Sequence, residues 1–293
     1  MSHLSHAEVL RAMLNQGKLI RMPCAYDGLS ARIAQNVGFS AVAFSGNAVS
    51  ASLLGLPDIG VLSLTENLEH AGRIARGLKI PMICDADTGY GGVMNVMRTV
   101  REFEAAGVAG IHIEDQITPK RCGLLPQGIP VLNEDEACEK IRAAIYARND
   151  PNFVIIARTD AKSMHGLENA AQRAHAYAKA GADAVLVMGV NTPEELQYVA
   201  NTAKAPLAVV IQEAGPTSEL SNQTLESVGC VFALHAGTAR YAVVKALQDT
   251  FQALHRDSHT RTVRDRMASF DDYNQILGMD EWLQIERQFS ATQ

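Results

Sequence analysis

The sequence predicts an α/β protein, a (β/α)8 TIM barrel followed by an extra C-terminal helical segment. About eight short apolar strands alternate with helical stretches over roughly the first 250 residues, which is the usual size of such a barrel. The strands are rich in β-branched residues and nearly free of polar ones, as in parallel sheets covered by helices. Glycine follows several helices, as at Gly107 and Gly181, where helices commonly end.

The predicted elements follow one another along the whole barrel. The strands cover residues 19–25, 41–44, 81–85, 110–114, 153–158, 184–187, 207–211 and 230–234. Apolar residues spaced three and four apart predict helices at residues 6–16, 28–37, 64–78, 94–106, 134–148, 167–180, 193–203, near 225, and 238–255. A doubly wound sheet is the alternative, but residues 25–30 lack the glycine spacing of a dinucleotide-binding turn.

We expect two parts, a catalytic barrel at residues 1–256 and a helical extension at residues 257–293. The extension contains the sole tryptophan, Trp282. An aromatic helix outside a complete barrel has to pack on its own barrel or on that of a neighbour, because a large apolar side chain is costly to expose.

Composition and charge exclude several classes of function. The formal charge is −6 and no basic run is present, which argues against nucleic acid and anionic membranes as partners. No apolar run approaches the roughly 20 residues of a membrane-spanning helix, and the N-terminus lacks a signal-peptide pattern. The five cysteines are scattered and form no C-x-x-C pair. We therefore expect free thiols and a cytoplasmic protein.

Asp85 and Asp87 mark the predicted centre of the chemistry. They lie two residues apart at the end of a strand, so both carboxylates would project from one face. The glycines that follow let the backbone turn sharply beside a ligand. A hard divalent cation, Mg²⁺ with Mn²⁺ as an alternative, suits such a pair. The competing interpretation is an aspartate-rich turn without a metal.

Further charged residues follow the neighbouring strands. Active sites of TIM barrels lie at this end of the strands. The residues delivered there are Tyr26, Asp27, Ser45, Gly46, Asn47, Asp85, Asp87, Glu114, Asp115, Arg158, Asp160, Met188, Gln212, Glu213 and His235. We expect Glu114 to join the metal site and Arg158 to clamp a substrate carboxylate through two hydrogen bonds. A structural salt bridge between Glu114 and Arg158 is the alternative.

The long connection at residues 115–133 has the length of an active-site lid. Within it Cys122 follows Lys120 and Arg121 and precedes Gly123. Two neighbouring cations favour the thiolate, so this thiol could donate or accept a proton near neutral pH. An inert cysteine in a basic surface loop is the alternative.

Taken together, these motifs resemble the isocitrate lyase/phosphoenolpyruvate mutase superfamily. The matching segments occur in the order of the family and cover nearly the whole chain. They are residues 45–46, 55–58, 85–91, 113–116, 119–123 and 156–160. The chain most resembles the short bacterial members, the 2-methylisocitrate and 2,3-dimethylmalate lyases.

The resemblance implies a fold, a metal and roles for individual residues. The barrel would exchange its C-terminal helix within a dimer, and two dimers would form a homotetramer. Mg²⁺ would sit on Asp85 and be reached through water from other carboxylates. The implied sets are Asp85, Asp87, Glu114 and Asp58 for the metal, Ser45, Gly46, Asn47, Gly123 and Arg158 for the substrate, and Cys122, Lys120, Arg121, Glu114 and Tyr26 for catalysis.

The resemblance also implies a carbon–carbon lyase that splits a 2-hydroxy dicarboxylate into a 2-oxo acid and a carboxylic acid. Cys122 would protonate the departing carbanion, while the base remains open among Tyr26, a metal-bound water and a carboxylate. Leu124, Met188 and Val210 replace the histidine, glutamate and asparagine usual in methylisocitrate lyases. Without these donors a third carboxylate is costly to bury, so an alkylated malate is the expected substrate.

Other functions stay open at this point. The first alternative is an oxaloacetate decarboxylase or hydrolase of the same superfamily, whose members lack the cysteine. The second is an aldolase that forms a Schiff base on Lys120 or Lys162. The third is a relative that binds its ligand without turning it over.

Overall fold

The computed structural model describes residues 4–123, 125 and 128–290. Eight parallel strands close into a barrel in which every strand pairs with its sequence neighbours and β8 pairs with β1. The strands are β1 Ile20–Ala25, β2 Val42–Phe44, β3 Met82–Asp85, β4 Gly110–Glu114, β5 Val154–Thr159, β6 Ala184–Val187, β7 Leu207–Ile211 and β8 Cys230–His235. The predicted (β/α)8 fold is thereby confirmed.

Helices cover the outside of the barrel. They are α1 His6–Asn15, α2 Gly28–Val37, α3 Gly46–Val49, α4 Leu64–Gly77, α5 Val93–Ala105, α6 Glu134–Ala147, α7 Lys162–Lys179, α8 Pro193–Ala203, α9 Asn222–Ser227, α10 Thr238–Asp257, α11 Phe270–Leu277 and α12 Met279–Phe289. A short π-helical segment, Ser50–Leu54, continues α3. None of the helices described is long and apolar enough to cross a membrane.

The core has two layers because strand residues alternate between the two faces of the sheet. Inward-facing residues such as Met22, Ile83 and Phe232 fill the barrel. Outward-facing residues such as Phe44 and Ile155 pack against the helices. The packed interior leaves the carboxyl ends of the strands as the place where polar side chains can gather.

The C-terminal segment differs from the rest of the fold in its exposure. Asn36 of α2 donates a hydrogen bond from Nδ2 to the carbonyl oxygen of Ile276 in α11, at 3.0 Å. Among the described residues of α11 and α12, however, none is buried. Helix α10 ends at Asp257, one residue after the expected domain boundary, which stays a prediction.

Candidate active site

A pocket opens where the carboxyl ends of the strands meet. Polar residues from β2, β3, β5 and the connecting loops line one part of it: Ser45, Asn47, Asp58, Asp85, Cys122 and Arg158. Another part is apolar and consists of Cys24, Phe44, Met188, Val210, Leu234 and Ala236. Because active sites of this fold lie at this end of the barrel, the pocket is the candidate active site.

Asp85 and Asp87 come together through a turn rather than through the strand pleat. Strand β3 ends at Asp85, and Asp87 has the left-handed φ of 46°. The Asp87 amide donates to Asp85 Oδ1 at 3.1 Å. A Cβ placed on Gly46 would lie 2.9 Å from Asp85 Oδ2 and 3.5 Å from Asp87 Oδ1. Both carboxylates therefore border one space above Gly46, although the expected strand geometry for Asp87 is wrong.

Lys120 extends from the long loop into this acidic region. Its ammonium lies 2.5 Å from Asp58 Oδ1 and 2.8 Å from Asp87 Oδ1. Burial alone would lower the pKa of Lys120, but the surrounding carboxylates, Asp87 and Asp85 foremost, raise it well above its usual value. Burial raises the pKa of Asp87 to about 7, which Lys120 opposes and Asp85 reinforces.

Arg158 is held between two carboxylates. Its Nε and Nη2 donate to the two oxygens of Asp160, both at 2.8 Å, and its Nη1 lies 3.0 Å from Glu114 Oε2. The bidentate partner of the arginine is thus Asp160, and the salt bridge to Glu114 is also present. A substrate carboxylate would have to use the N–H groups that these contacts leave.

The pocket and its immediate surroundings contain more carboxylates than cations, and this excess of negative charge would favour a bound metal ion. The cations are Lys120, Arg158 and Arg240, and the carboxylates near them are Asp58, Asp85, Asp87, Glu114 and Asp160. Glu114 Oε1 is buried and has no hydrogen-bond partner among the residues described. Burial raises the pKa of Glu114 well above its usual value, against the opposing effect of Arg158. A divalent cation would relieve this excess of negative charge.

The carboxylates do not form a compact cage. In the described part of the chain, no three His, Cys, Asp or Glu side chains converge closely enough to hold a metal by themselves. Mg²⁺ commonly binds through one or two carboxylates and keeps several waters. The residues therefore fit a magnesium ion that is held by one or two of these carboxylates together with water.

The long loop covers the pocket. The Cys122 amide donates to the Asp58 carbonyl oxygen at 3.1 Å, and Cys122 and Gly123 line the pocket. A Cβ on Gly123 would lie 2.6 Å from Arg158 Nη2 and from Asp160 Oδ1, so only glycine permits this approach. Leu124, the residue in place of the usual histidine, lies outside the described residues.

Of the five predicted catalytic residues, Cys122 lines the described pocket, and Lys120 and Glu114 adjoin it through Asp58 and Arg158. The remaining two, Tyr26 and Arg121, lie away from it. Tyr26 is buried in the layer between strands and helices, and its carbonyl oxygen, not its hydroxyl, lies 2.7 Å from His70 Nε2. Burial raises the pKa of Tyr26. Arg121 bonds through Nη1 to the Ile59 carbonyl oxygen at 2.9 Å, so its side chain supports the loop instead of entering the pocket.

Two residues of the site, Arg240 and His112, were missed from the sequence. Arg240, in the first turn of α10, donates from Nη1 to Asn47 Oδ1 and lines the pocket. His112 Nδ1 lies 3.5 Å from Asp85 Oδ1, and burial lowers the pKa of its imidazole. A signal existed for His112, because it stands two residues before Glu114 on the same strand and therefore on the same face.

Comparison with known proteins places this geometry in a family. A family model described as phosphoenolpyruvate phosphomutase matches residues 10–255. The chain is 37% identical over 288 residues to 2,3-dimethylmalate lyase of Eubacterium barkeri, covering 98% of this chain and 99% of the relative. It is 38% identical over 269 residues to 2-methylisocitrate lyase of Shewanella oneidensis, covering 92% and 91%.

Solved structures agree with this similarity. Oxaloacetate acetylhydrolase in complex with 3,3-difluorooxalacetate superposes with a TM-score of 0.91 at 32% identity, covering 97% of each chain. Phosphonopyruvate hydrolase in complex with oxalate and Mg²⁺ superposes with a TM-score of 0.87 at 32% identity, covering 98% of this chain and 99% of the other. The chain therefore belongs to the PEP mutase/isocitrate lyase superfamily.

Proposed function

We propose that this protein is a magnesium-dependent carbon–carbon lyase. It would cleave a 2-hydroxy dicarboxylate by retro-aldol chemistry into a 2-oxo acid and a carboxylic acid. The observation that carries the proposal is the presence of a carboxylate, a thiol and two arginines in one pocket, contributed by Asp85, Cys122, Arg158 and Arg240. The relatives at 37% and 38% identity are a 2,3-dimethylmalate lyase and a 2-methylisocitrate lyase, which supports a lyase reaction on a related substrate.

The metal would sit beside Asp85, with Asp87, Glu114 and Asp58 reaching it through water. The excess of carboxylates and the unpartnered Glu114 Oε1 support this arrangement, as does the Mg²⁺ bound by phosphonopyruvate hydrolase. When bound, the metal would act as a Lewis acid that polarises a substrate oxygen. Mn²⁺ is an alternative ion, since it accepts the same oxygen ligands.

The chain itself would bind the two carboxylates of the substrate and hold its hydroxyl. Ser45, Asn47 and Arg158 line the polar part of the pocket, and the backbone of Gly46 and Gly123 passes close to it. Arg240 adds a second arginine at the same pocket. Fixed donors of this kind stabilise developing negative charge, which is usually a large part of catalysis.

The proton balance assigns Cys122 as the general acid. The C2 hydroxyl loses its proton to a base as the C2=O bond forms, the C2–C3 bond breaks, and its electron pair remains on C3. The Cys122 thiol then donates a proton to C3, an effect worth roughly 10²–10⁴-fold in general acid catalysis. Because the Tyr26 hydroxyl is not at the pocket, the chain's carboxylates become the better candidates for the base.

The apolar part of the pocket favours an alkylated malate as substrate. Met188 and Val210 line it together with Cys24 and Leu234, and they offer no donor to a third carboxylate. The two arginines that line the same pocket are already engaged: Arg240 is bonded to Asn47 and to the Tyr241 hydroxyl, and Arg158 is bonded to Asp160. An alkyl substituent would bury apolar surface there at a gain of about 25 cal/mol per Å².

The structure disfavours the alternative functions to different degrees. A Schiff base requires a neutral amine, whereas the pKa of Lys120 is raised and Lys162 donates to Glu195 Oε1 at 2.6 Å. Oxaloacetate hydrolysis or decarboxylation remains the second candidate because oxaloacetate acetylhydrolase superposes so closely. That chemistry does not explain a cysteine that lines the pocket.

The deciding experiment measures pyruvate or glyoxylate release from a panel of methylisocitrate, isocitrate, 2,3-dimethylmalate, 2-methylmalate and oxaloacetate, with oxalate also measured for oxaloacetate because hydrolysis would give oxalate and acetate. Each is tested with Mg²⁺, with chelator, and with Cys122→Ala. We expect an alkylmalate to give the highest kcat/KM, with loss of activity in chelator and in the variant. Turnover of oxaloacetate alone, undiminished by Cys122→Ala, would support the second candidate instead.

The assembly and location follow from the surface and the thiols. We propose a homotetramer of helix-swapped dimers, because α10 and α12 expose large apolar side chains such as Phe251 and Trp282. All five cysteines are free thiols, which supports the cytoplasmic location that we propose.

A further inference from the structure

We propose that Gln116 is a positioning residue that holds the tip of the long loop over the pocket. Its Nε2 donates to the Arg121 carbonyl oxygen at 2.9 Å, and its Oε1 accepts from the Arg121 amide at 2.7 Å. The side chain is 1% exposed. The proposal rests on the proposed function, in which the residues on either side of Arg121 act at the pocket.

The base of the loop is closed by backbone contacts that do not need this side chain. Gln116 and Val131 form an antiparallel bridge. The Ile117 amide donates to the Pro130 carbonyl oxygen at 3.0 Å, and the Leu132 amide donates to the Asp115 carbonyl oxygen at 2.8 Å. The side-chain amide of Gln116 is therefore needed only to hold the part of the loop beyond this base, which includes residues 119–123.

Arg121 is the residue through which both functional side chains are oriented. It lies between Lys120 and Cys122, so fixing its N–H and C=O fixes the two peptide planes from which those side chains project. With the tip held, Lys120 Nζ reaches Asp58 Oδ1 at 2.5 Å and the Cys122 amide reaches the Asp58 carbonyl oxygen at 3.1 Å.

Loss of the Gln116 side-chain amide would release the tip of the loop, residues 119–123. Without it, the Arg121 N–H and C=O lose both partners, and each unmade hydrogen bond disfavours the closed loop. Two such bonds correspond to a rise in the open population of about tenfold to a hundredfold. The barrel should not respond, because the backbone bridge at the base of the loop remains.

The first test uses trypsin, which cleaves after Lys120 and after Arg121. We compare wild type, Gln116→Met and a matched control, Gln35→Met. Gln35 also accepts a backbone hydrogen bond, from the Lys79 amide at 2.6 Å, but far along the chain from the loop. Cleavage at residues 120–122, followed by mass spectrometry, should accelerate about tenfold to a hundredfold in Gln116→Met and stay unchanged in the control.

The second test compares kcat/KM and Tm on the preferred substrate of the panel. We expect kcat/KM of Gln116→Met to fall in proportion to the closed population that is lost, and therefore by a smaller factor than the rise in loop cleavage as long as the loop is mostly closed, with Tm close to that of wild type. Should Gln116→Met not fold, Gln116→Asn gives the same test, because it keeps the amide but withdraws it by one methylene.

Loop cleavage in the folded variant that is as slow as in wild type would overturn the proposal. So would equal acceleration in Gln35→Met. Since proteolysis needs no substrate, these outcomes are independent of whether the lyase reaction is correct: an inactive wild type with an accelerated variant would refute the proposed function and leave the role of Gln116 intact.

Discussion

Gly46 leaves no room for a side chain beside the acidic region. Its Cβ would lie 2.9 Å from Asp85 Oδ2 and 3.3 Å from the Asp85 carboxyl carbon, so Asp85 would have to move. We predict that Gly46→Ala weakens Mg²⁺ binding at least about tenfold, because a displaced first ligand loses most of its contribution. Isothermal titration with Mg²⁺ measures the effect without substrate.

Gly28→Ala is the matched control for that substitution. A Cβ on Gly28, the first residue of α2, meets nothing within 4 Å. Its Mg²⁺ affinity should equal that of wild type. Equal affinities for Gly46→Ala and Gly28→Ala would contradict the placement of the metal beside Asp85.

Cys122 is distinguished from the other thiols by its accessibility. It is half-buried, whereas the other four cysteines are buried. Burial raises the pKa of Cys24 to about 12 although that thiol also lines the pocket. We predict that iodoacetamide at pH 8 labels Cys122 first, since only a thiolate reacts. Peptide mapping of wild type against Cys122→Ala checks this, and labelling of Cys24 at a comparable rate would refute it.

Which site residues could be predicted depended on local spacing. Asp85, Arg158 and Cys122 were placed at the pocket from strand ends and loop length alone, although their chemical roles stay predictions. The turn at Asp87 was not foreseen, because its left-handed φ depends on contacts that the sequence does not display. Tyr26 was misplaced for a similar reason, since a strand end specifies a position but not the direction in which a side chain turns.

At the scale of elements, helix and strand boundaries were predicted to within a few residues. Apolar strands and capping glycines are local signals, so β4, β6 and β7 were predicted without error. Helix α7 begins five residues earlier than expected, at Lys162, and is interrupted at Gly166 with φ of 81°. Gly166 interrupts the spacing of the apolar residues, and the residue after such an interruption looks like the start of a helix. The first turn of α7 was therefore not predicted.

The opposite end of the barrel is held by Asp183, which precedes β6. Its carboxylate accepts from Arg11 Nη1 and Arg148 Nη1, and from the Ile155 amide, each at 2.8 Å. The cluster is partly buried, so the loss of one member should cost more than that of an exposed pair and less than the roughly 3–5 kcal/mol of a fully buried one. We predict that Asp183→Ala lowers Tm by several degrees in a thermal scan while kcat at 25 °C is unchanged, because the pocket lies at the other end of the strands.

Asp249→Ala provides the comparison for that cluster. Asp249 also pairs with two cations, Lys245 at 2.7 Å and Arg266 at 3.3 Å, but on an exposed surface. Exposed ion pairs contribute little, so its Tm should match that of wild type. If Asp183→Ala were as stable as Asp249→Ala, the cluster would not be what closes this end of the barrel.

For the whole molecule, the exposed C-terminal helices predict association. Large apolar side chains rarely stay in water over an extended surface, yet Trp282 is 66% exposed, Phe289 79% and Phe251 60%. We predict that sedimentation velocity finds wild type as a tetramer and Trp282→Glu as a smaller species. A buried charge without a partner disfavours the interface, while the circular dichroism of the barrel should stay the same.

Tyr146→Glu separates this effect from a general response to an added surface charge. Tyr146 lies on α6 and is 78% exposed, outside the C-terminal segment, so its variant should remain a tetramer. A monomeric wild type, or a Trp282→Glu protein of unchanged mass, would mean that α12 packs on no neighbouring subunit. Dissociation of Trp282→Glu alone would place the extension at the subunit interface, because the two substitutions add the same charge at similarly exposed aromatic residues.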